Sequence, residues 1–425
     1  MKTKKERKAN LLIEIWKKYP LYRDIQLTTI VTSFFGWSSF IAMLVLLGEI
    51  TSTGIEFGLL WSISGLAPLI FSFFLGVYID RWKKKICIVW SDLLRFFSYS
   101  LFLLIPILDG YMAITIFLVA RFLTGILGSF NSTAKQVVIP QIVKKEDLVV
   151  ANSLSYTITS TVRLSGAAVG GIIVTIFGVY VAYGLTALIS LISGLYIARH
   201  KFEEKKRKTK KNSYISEMLE GLSYAKNNIY VLIILISAIT IGTIIGSYNL
   251  MLERFSSLIY DFQEISISLL YISEGATSAI VGYYIAKKSL LLQQKWIYGV
   301  FYTLTGILWM LFTLTTNVFQ GMIVLVFFGI STSLVIPFER TTMHTVVPEE
   351  IRGKIFSLWG TLTAVSIQFG ALITGIIIDL LGTKFVTPVI GSFQILFGIC
   401  FMFIFLNIAR KEKNNYSKMN IKFKD

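Results

Sequence analysis

Two cysteines and two histidines are all that 425 residues contain of these types, and each scarcity excludes something. Cys87 and Cys400 both fall inside apolar stretches, so the chain has no disulfide framework and no cysteine metal site. His200 and His344 stand far apart in polar connections, where they read as solvated side chains, and no zinc set can be assembled from them. Charge is equally sparse: 15% of residues are Asp, Glu, Lys or Arg, against 54% hydrophobic. A soluble protein of this length needs far more polar surface. The chain has no GxxxxGK[ST] phosphate loop, nucleophile elbow or zinc-binding helix. It reads as neither an enzyme nor an ATP-driven machine, with no cofactor and no metal. The basic N-terminus carries no short apolar stretch ending in a small-residue cleavage site, so no cleavable signal is expected.

What the chain does have is long apolar runs. Twelve blocks stand at 26–47, 55–79, 86–108, 111–131, 150–177, 180–198, 229–251, 265–286, 296–315, 318–338, 354–379 and 384–408. A helix needs about 20 apolar residues to cross a bilayer. The expected fold class is an all-α polytopic membrane protein with 12 transmembrane helices. Alternate connections hold 36 of the 41 basic residues, which by the positive-inside rule places both termini in the cytoplasm. The net charge of +17 is then a matter of topology and of anionic lipid, not of nucleic acid. In residues 11–22, LLIEIWKKYPLY, the apolar positions share one helical face, which predicts a short helix on the inner membrane surface.

The sequence also repeats itself. GVYIDRWKKK (76–85) and GYYIAKKSLL (282–291) share Gly-x-Tyr-Ile at an offset of 206 residues, and VVIP (137–140) and TVVP (345–348) lie 208 apart. The predicted organisation is an N-terminal interfacial segment (1–25), a six-helix bundle (26–198), a basic cytoplasmic linker (199–228), a second six-helix bundle (229–408) and a basic tail (409–425). Two pseudo-symmetric bundles with a site between them is the plan of many secondary transporters.

Five stretches then resemble one family. GVYIDRWKKK resembles the Gly-x-x-x-Asp-Arg loop of the major facilitator superfamily, with Lys83 in place of the usual Gly. ARFLTGILG (120–128) is similar to its fourth-span motif. RLSGAAVGG (163–171) resembles the fifth-span antiporter motif, with Ala167 for its Pro. VIPQIVKKEDLVVANSL (138–154) and VPEEIRGKIFSL (347–358) resemble the two inner-loop signatures of the twelve-span drug:proton antiporter branch, which includes macrolide-efflux and siderophore-exporter proteins. The resemblance implies alternating access driven by protons, and roles for particular residues. Gly76, Asp80 and Arg81 are implied to form a cytoplasmic gate, the alternative being a charged anchor at the headgroups. Arg121 is implied to take part in proton exchange, or else is a buried cation capped by groups such as Thr124. Gly125, Gly166, Gly170 and Gly171 read as helix-packing residues, and the resemblance implies that the stretch holding the last three seals against leak, which ordinary close packing also explains.

Charges inside apolar blocks are costly unless paired or wet. Arg121 and Arg163 lie near mid-span. Asp92 and Arg95, three apart on one face, are expected either to pair with each other or to serve the family's third-span motif. Glu274 is taken as the one acid well inside the spans of the second half. Low-dielectric surroundings favour the neutral form of a carboxyl, so Glu274 reads as a proton-coupling or cation-binding residue, or as half of a salt bridge. Aromatics such as Trp61, Trp309 and Trp359 are mostly packing or interface anchors, with some facing a greasy ligand.

The expected function is export of small amphipathic molecules from the cell membrane, coupled to protons, by a chain that works as a monomer. Export of an endogenous siderophore or peptide antibiotic is the alternative, and a non-transporting membrane sensor a more distant one.

Overall fold

The computed structural model describes residues 14–201, 214–260, 263–287 and 295–422; within these, the side chains of residues 71–81 and of scattered helical positions lie outside the described residues. Among the described residues the regular structure is all helical. Its helices are α1 (Pro20–Ile50), α2 (Gly54–Arg81), α3 (Lys84–Ser100), α4 (Tyr111–Ile142), α5 (Leu148–Phe177), α6 (Val179–Ala198), α7 (Tyr214–Asn227), α8 (Ile229–Leu258), α9 (Gln263–Lys287), α10 (Lys295–Leu311), α11 (Val318–Val346), α12 (Glu349–Leu381) and α13 (Thr383–Lys422). Eleven stretches among them are long and apolar enough to cross a bilayer, and α2 adds a shorter apolar stretch, Gly54–Ile70.

Local chemistry sets the breaks. Gly178 (φ 85°) and Gly382 (φ 95°) take left-handed backbone between α5 and α6 and between α12 and α13, a conformation that ends a helix cheaply only at glycine. Asn228 caps α8 by accepting the backbone N–H groups of Tyr230 and Val231, and Asn317 caps α11 through Gln320. Pro20 opens α1, where its missing N–H costs nothing.

Packing divides the chain into two compact units. The first is Met1–Ser52, Leu59–Lys211 and Phe262–Tyr271, and the second is Thr53–Gly58, Asn212–Asp261 and Ile272–Asp425. Small residues bring helices together within each, as expected where lipid removes the hydrophobic drive between them. In the first unit a Cβ on Gly170 would stand 2.8 Å from Ser38 Cα, and one on Gly166 would stand 2.9 Å from Trp37 Cβ, so α5 lies directly on α1. Gly125 of α4 admits the Pro68 ring, and Gly171 is buried. In the second unit Gly242 and Gly246 of α8 meet α12, while Gly299 and Gly306 of α10 meet α13.

The structure adds detail to two of the polar segments. Residues 14–18 are helical, but Ile15 buries against Ile139, Val143 and Ala151 of its own unit, so the N-terminal segment rests on protein as well as on any membrane surface. The expected linker 199–228 contains α7, whose Ala225 joins a cluster with Val231, Met343 and Ile355, and whose Glu220 meets Lys354 at 2.6 Å.

Candidate functional site

The polar cores of the two units are built differently. In the first, α3 sets Asp92, Arg95 and Tyr99 on one face, one helical turn apart. Asp92 is fully buried, its Oδ2 accepts the Ser193 hydroxyl of α6 at 2.7 Å, and its Oδ1 lies 3.4 Å from Arg95 Nη1. Arg95 continues to the Tyr99 hydroxyl at 3.4 Å and sets its guanidinium over that ring. On α4, Arg121 is half-buried, and its Nε lacks a hydrogen-bond partner among the described residues. Lower on α4, Asn131 donates to Ser91 Oγ at 2.8 Å and to the Ile88 carbonyl at 3.2 Å. Lys135, only 7% exposed, stands close enough to Asp92 and Arg95 to feel both charges.

The second unit is built around Glu339 of α11, which is 0% exposed. Its Oε1 accepts the Ser237 hydroxyl of α8 at 2.7 Å and the Tyr298 hydroxyl of α10 at 2.8 Å. Its Oε2 accepts the Trp359 indole N–H of α12 at 3.1 Å. Tyr302 donates to the Ser237 carbonyl at 3.2 Å and also meets the Thr240 hydroxyl. Phe338, Phe401 and Phe405 close the surroundings. Three helices thus bring neutral donors to one carboxyl on a fourth.

Glu339 overturns the reading of Glu274 as the only acid well inside the second set of spans. Glu274 is half-buried on α9, where its Oε1 accepts Ser278 Oγ at 2.9 Å. Glu253 on α8 is 0% exposed as well, with Arg254 Nε at 3.7 Å. The cause is common to several charges. Helices α1, α4, α8 and α11 run beyond the apolar blocks, and Asp24, Lys135, Glu253 and Glu339 on those extensions are all buried. His200 likewise departs from the solvated reading: its Nε2 lies 2.9 Å from Asp24 Oδ2. His344 is exposed, against the Phe356 ring.

Of the other expected site residues, Arg163 is exposed on α5. It shares the first unit with Arg121, whereas Glu274 belongs to the second. Gly76, Asp80 and Arg81 lie in α2, but their side chains fall outside the described residues. Glu339 had one signal in the sequence, because it lies 208 residues after Asn131, the offset that separates VVIP from TVVP.

A sequence model of the Major Facilitator Superfamily matches residues 27–293 and 289–423. The chain belongs to the major facilitator superfamily. It is a multi-pass protein of the cell membrane. Among its superfamily relatives, the MFS-type transporter YvqJ of Bacillus subtilis is 22% identical over 95% of this chain and 96% of its own. Macrolide efflux protein A of Streptococcus pyogenes is 20% identical over 76% of this chain and 81% of its own. The bacilysin exporter BacE of Bacillus subtilis is 29% identical over 46% of this chain and 50% of its own. The crystal structure of the nucleoside transporter NupG shares the fold, with a TM-score of 0.70 at 15% identity over 91% of this chain and 99% of its own.

Proposed function

We propose that the chain is a proton-coupled secondary active exporter of small amphipathic molecules, of the macrolide-efflux type, working by alternating access. The observation that carries this reading is the placement of Arg121 and Glu274. Both stay half-buried inside helices that are otherwise apolar, where a charge is costly unless it meets water, a partner or a ligand. The likeness to macrolide efflux protein A over most of both chains supports export as the direction. In this reading the chain makes twelve crossings with both termini in the cytoplasm and acts as a monomer. Arg121, Arg163 and Glu274 serve the substrate and the proton, and Asp80 and Arg81 serve the inner gate.

The test is transport of a radiolabelled macrolide into everted vesicles under an imposed pH gradient. Wild-type protein concentrates the compound and an uncoupler abolishes the effect. Glu274→Gln inserts normally but no longer concentrates it; full uphill transport by that variant removes Glu274 from the mechanism. The likeness to BacE favours a second reading, export of an endogenous peptide antibiotic. Loss of that product from the medium of a deletion strain, with unchanged macrolide resistance, would select it.

A further inference from the structure

We infer that Glu339 is a proton-binding residue of the second unit and a further group, beside Glu274, through which the proton gradient acts, an inference that rests on the proton-driven reading above. Three observations lead there.

The first is the enclosure. Ser237, Tyr298 and Trp359 reach Glu339 from three different helices, and every one is a neutral donor. The titratable groups facing it are Tyr298 and Tyr302, both from α10. Arg340 follows on α11 with its guanidinium over the Trp359 ring, 5.8 Å from the centroid. From α8 and α12 come Ser237 and Trp359, and α13 adds Phe401 and Phe405. No cation is ion-paired to this carboxyl among the described residues. Arg340 acts on it only from beyond ion-pair distance, and a buried carboxylate without a contacting counter-charge is costly in the apolar interior, whereas the neutral acid is tolerated there.

The second is that the network suits both charge states. Ser237 Oγ has one proton and two acceptors in reach, Glu339 Oε1 at 2.7 Å and the Ile234 carbonyl at 2.8 Å. With Glu339 ionised, Ser237, Tyr298 and Trp359 all donate to it. When a proton binds Oε1, an O–H bond forms and one negative charge disappears. The new hydroxyl then donates to Ser237 Oγ, and Ser237 turns its own proton to Ile234. Tyr298 still donates to Oε1 and Trp359 to Oε2, so neither state strands a buried polar atom.

The third is the repeat. The residue 208 positions earlier is Asn131, a buried amide that donates to Ser91 and to the Ile88 carbonyl. The residue at the same sequence offset in the first half is thus an amide that cannot titrate, and what sets Glu339 apart from it is the proton it can take up and release.

Infrared spectroscopy of the protein in liposomes, titrated across neutral pH, tests this without knowing the substrate. Wild-type protein shows a protonated-carboxyl C=O band that Glu339→Gln lacks and Glu274→Gln retains. Tyr298→Phe keeps the carboxyl, removes one donor and shifts the same band, which gives a readout even if the glutamine variant accumulates poorly. A band unchanged in Glu339→Gln, or unmoved in Tyr298→Phe, overturns the assignment. In the same liposomes, Glu339→Gln loses pH-driven macrolide accumulation but keeps downhill flux; pH-driven accumulation equal to wild type overturns the coupling role. If wild-type protein drives no uphill flux, the export reading falls, and the band alone decides whether Glu339 holds a proton.

Discussion

Asp379, in the last turn of α12, accepts the backbone N–H of Gly54 at 2.7 Å, in the first turn of α2. Its second oxygen takes the N–H of Ile55 at 2.8 Å. Thr53 and Glu56 close the same terminus as a capping box, Glu56 N to Thr53 Oγ1 at 3.1 Å and Thr53 N to Glu56 Oε2 at 3.3 Å. The helix start therefore has a carboxylate on either side of it, where the aligned peptide dipoles favour negative charge. Replacing Asp379 with Asn keeps an acceptor but removes the charge. The expected loss is about 0.5 kcal/mol, seen as a lower thermal midpoint in detergent that high salt erases. An unchanged midpoint would mean that the capping box alone holds this end.

Gly170 and Gly128 make a matched pair. Ser38 lies against Gly170, while nothing lies within 4 Å of a Cβ on Gly128. Gly128→Ala should leave stability unchanged or raise it by up to about 1 kcal/mol through helix propensity. Gly170→Ala forces α5 off α1 and should cost about 1–3 kcal/mol as overpacking. Thermal unfolding of both variants, followed by the fraction inserted in membranes, checks the contrast.

Asp92 and Arg95 form a buried pair. Asp92→Asn leaves the Arg95 guanidinium without its counter-charge and should destabilise by about 3 kcal/mol. The double change Asp92→Asn with Arg95→Gln should cost less than the sum of the two single changes, because it strands no charge. Additive costs in the cycle would show that the 3.4 Å approach contributes nothing.

The N-terminal segment is pinned by a group that senses pH. Lys18 Nζ and Tyr19 Oη both donate to Asp147 Oδ2 at 2.6 Å. The hydrogen bond from Lys18, then that from Tyr19, holds the Asp147 carboxyl below its ordinary value of 3.8. Because the folded value is depressed, the attachment is fully present above that ordinary value and is lost as pH falls through the lower, folded one. A fluorophore placed at position 14 should become mobile in acid and not near neutrality. Asp147→Asn should make it mobile at both pH values; an anchored label in that variant would rule out the pin.

The apolar blocks were easy to find because a bilayer demands runs of about 20 residues. Their edges were harder, because a helix end remains helical after its sequence turns polar. VIPFERTTMHTV (335–346) looks like the start of a charged loop, yet α11 continues to Val346 with Glu339 enclosed. Asp24, Lys135 and Glu253 were obscured in the same way, each sitting just past the boundary of an apolar block. Arg121, Arg163 and Glu274 stood out in the sequence because they interrupt apolar runs, but interruption says nothing about depth of burial: Arg163 is exposed and the other two are half-buried.

By itself the sequence determined that this is a many-helix membrane protein of one superfamily, with an internal repeat, because hydropathy, charge bias and motif spacing are properties of a linear chain. Only the tertiary structure decided which charges are enclosed and what they touch. The contacts of Glu339 come from residues 20 to 102 positions away, and helix packing alone brings such residues together.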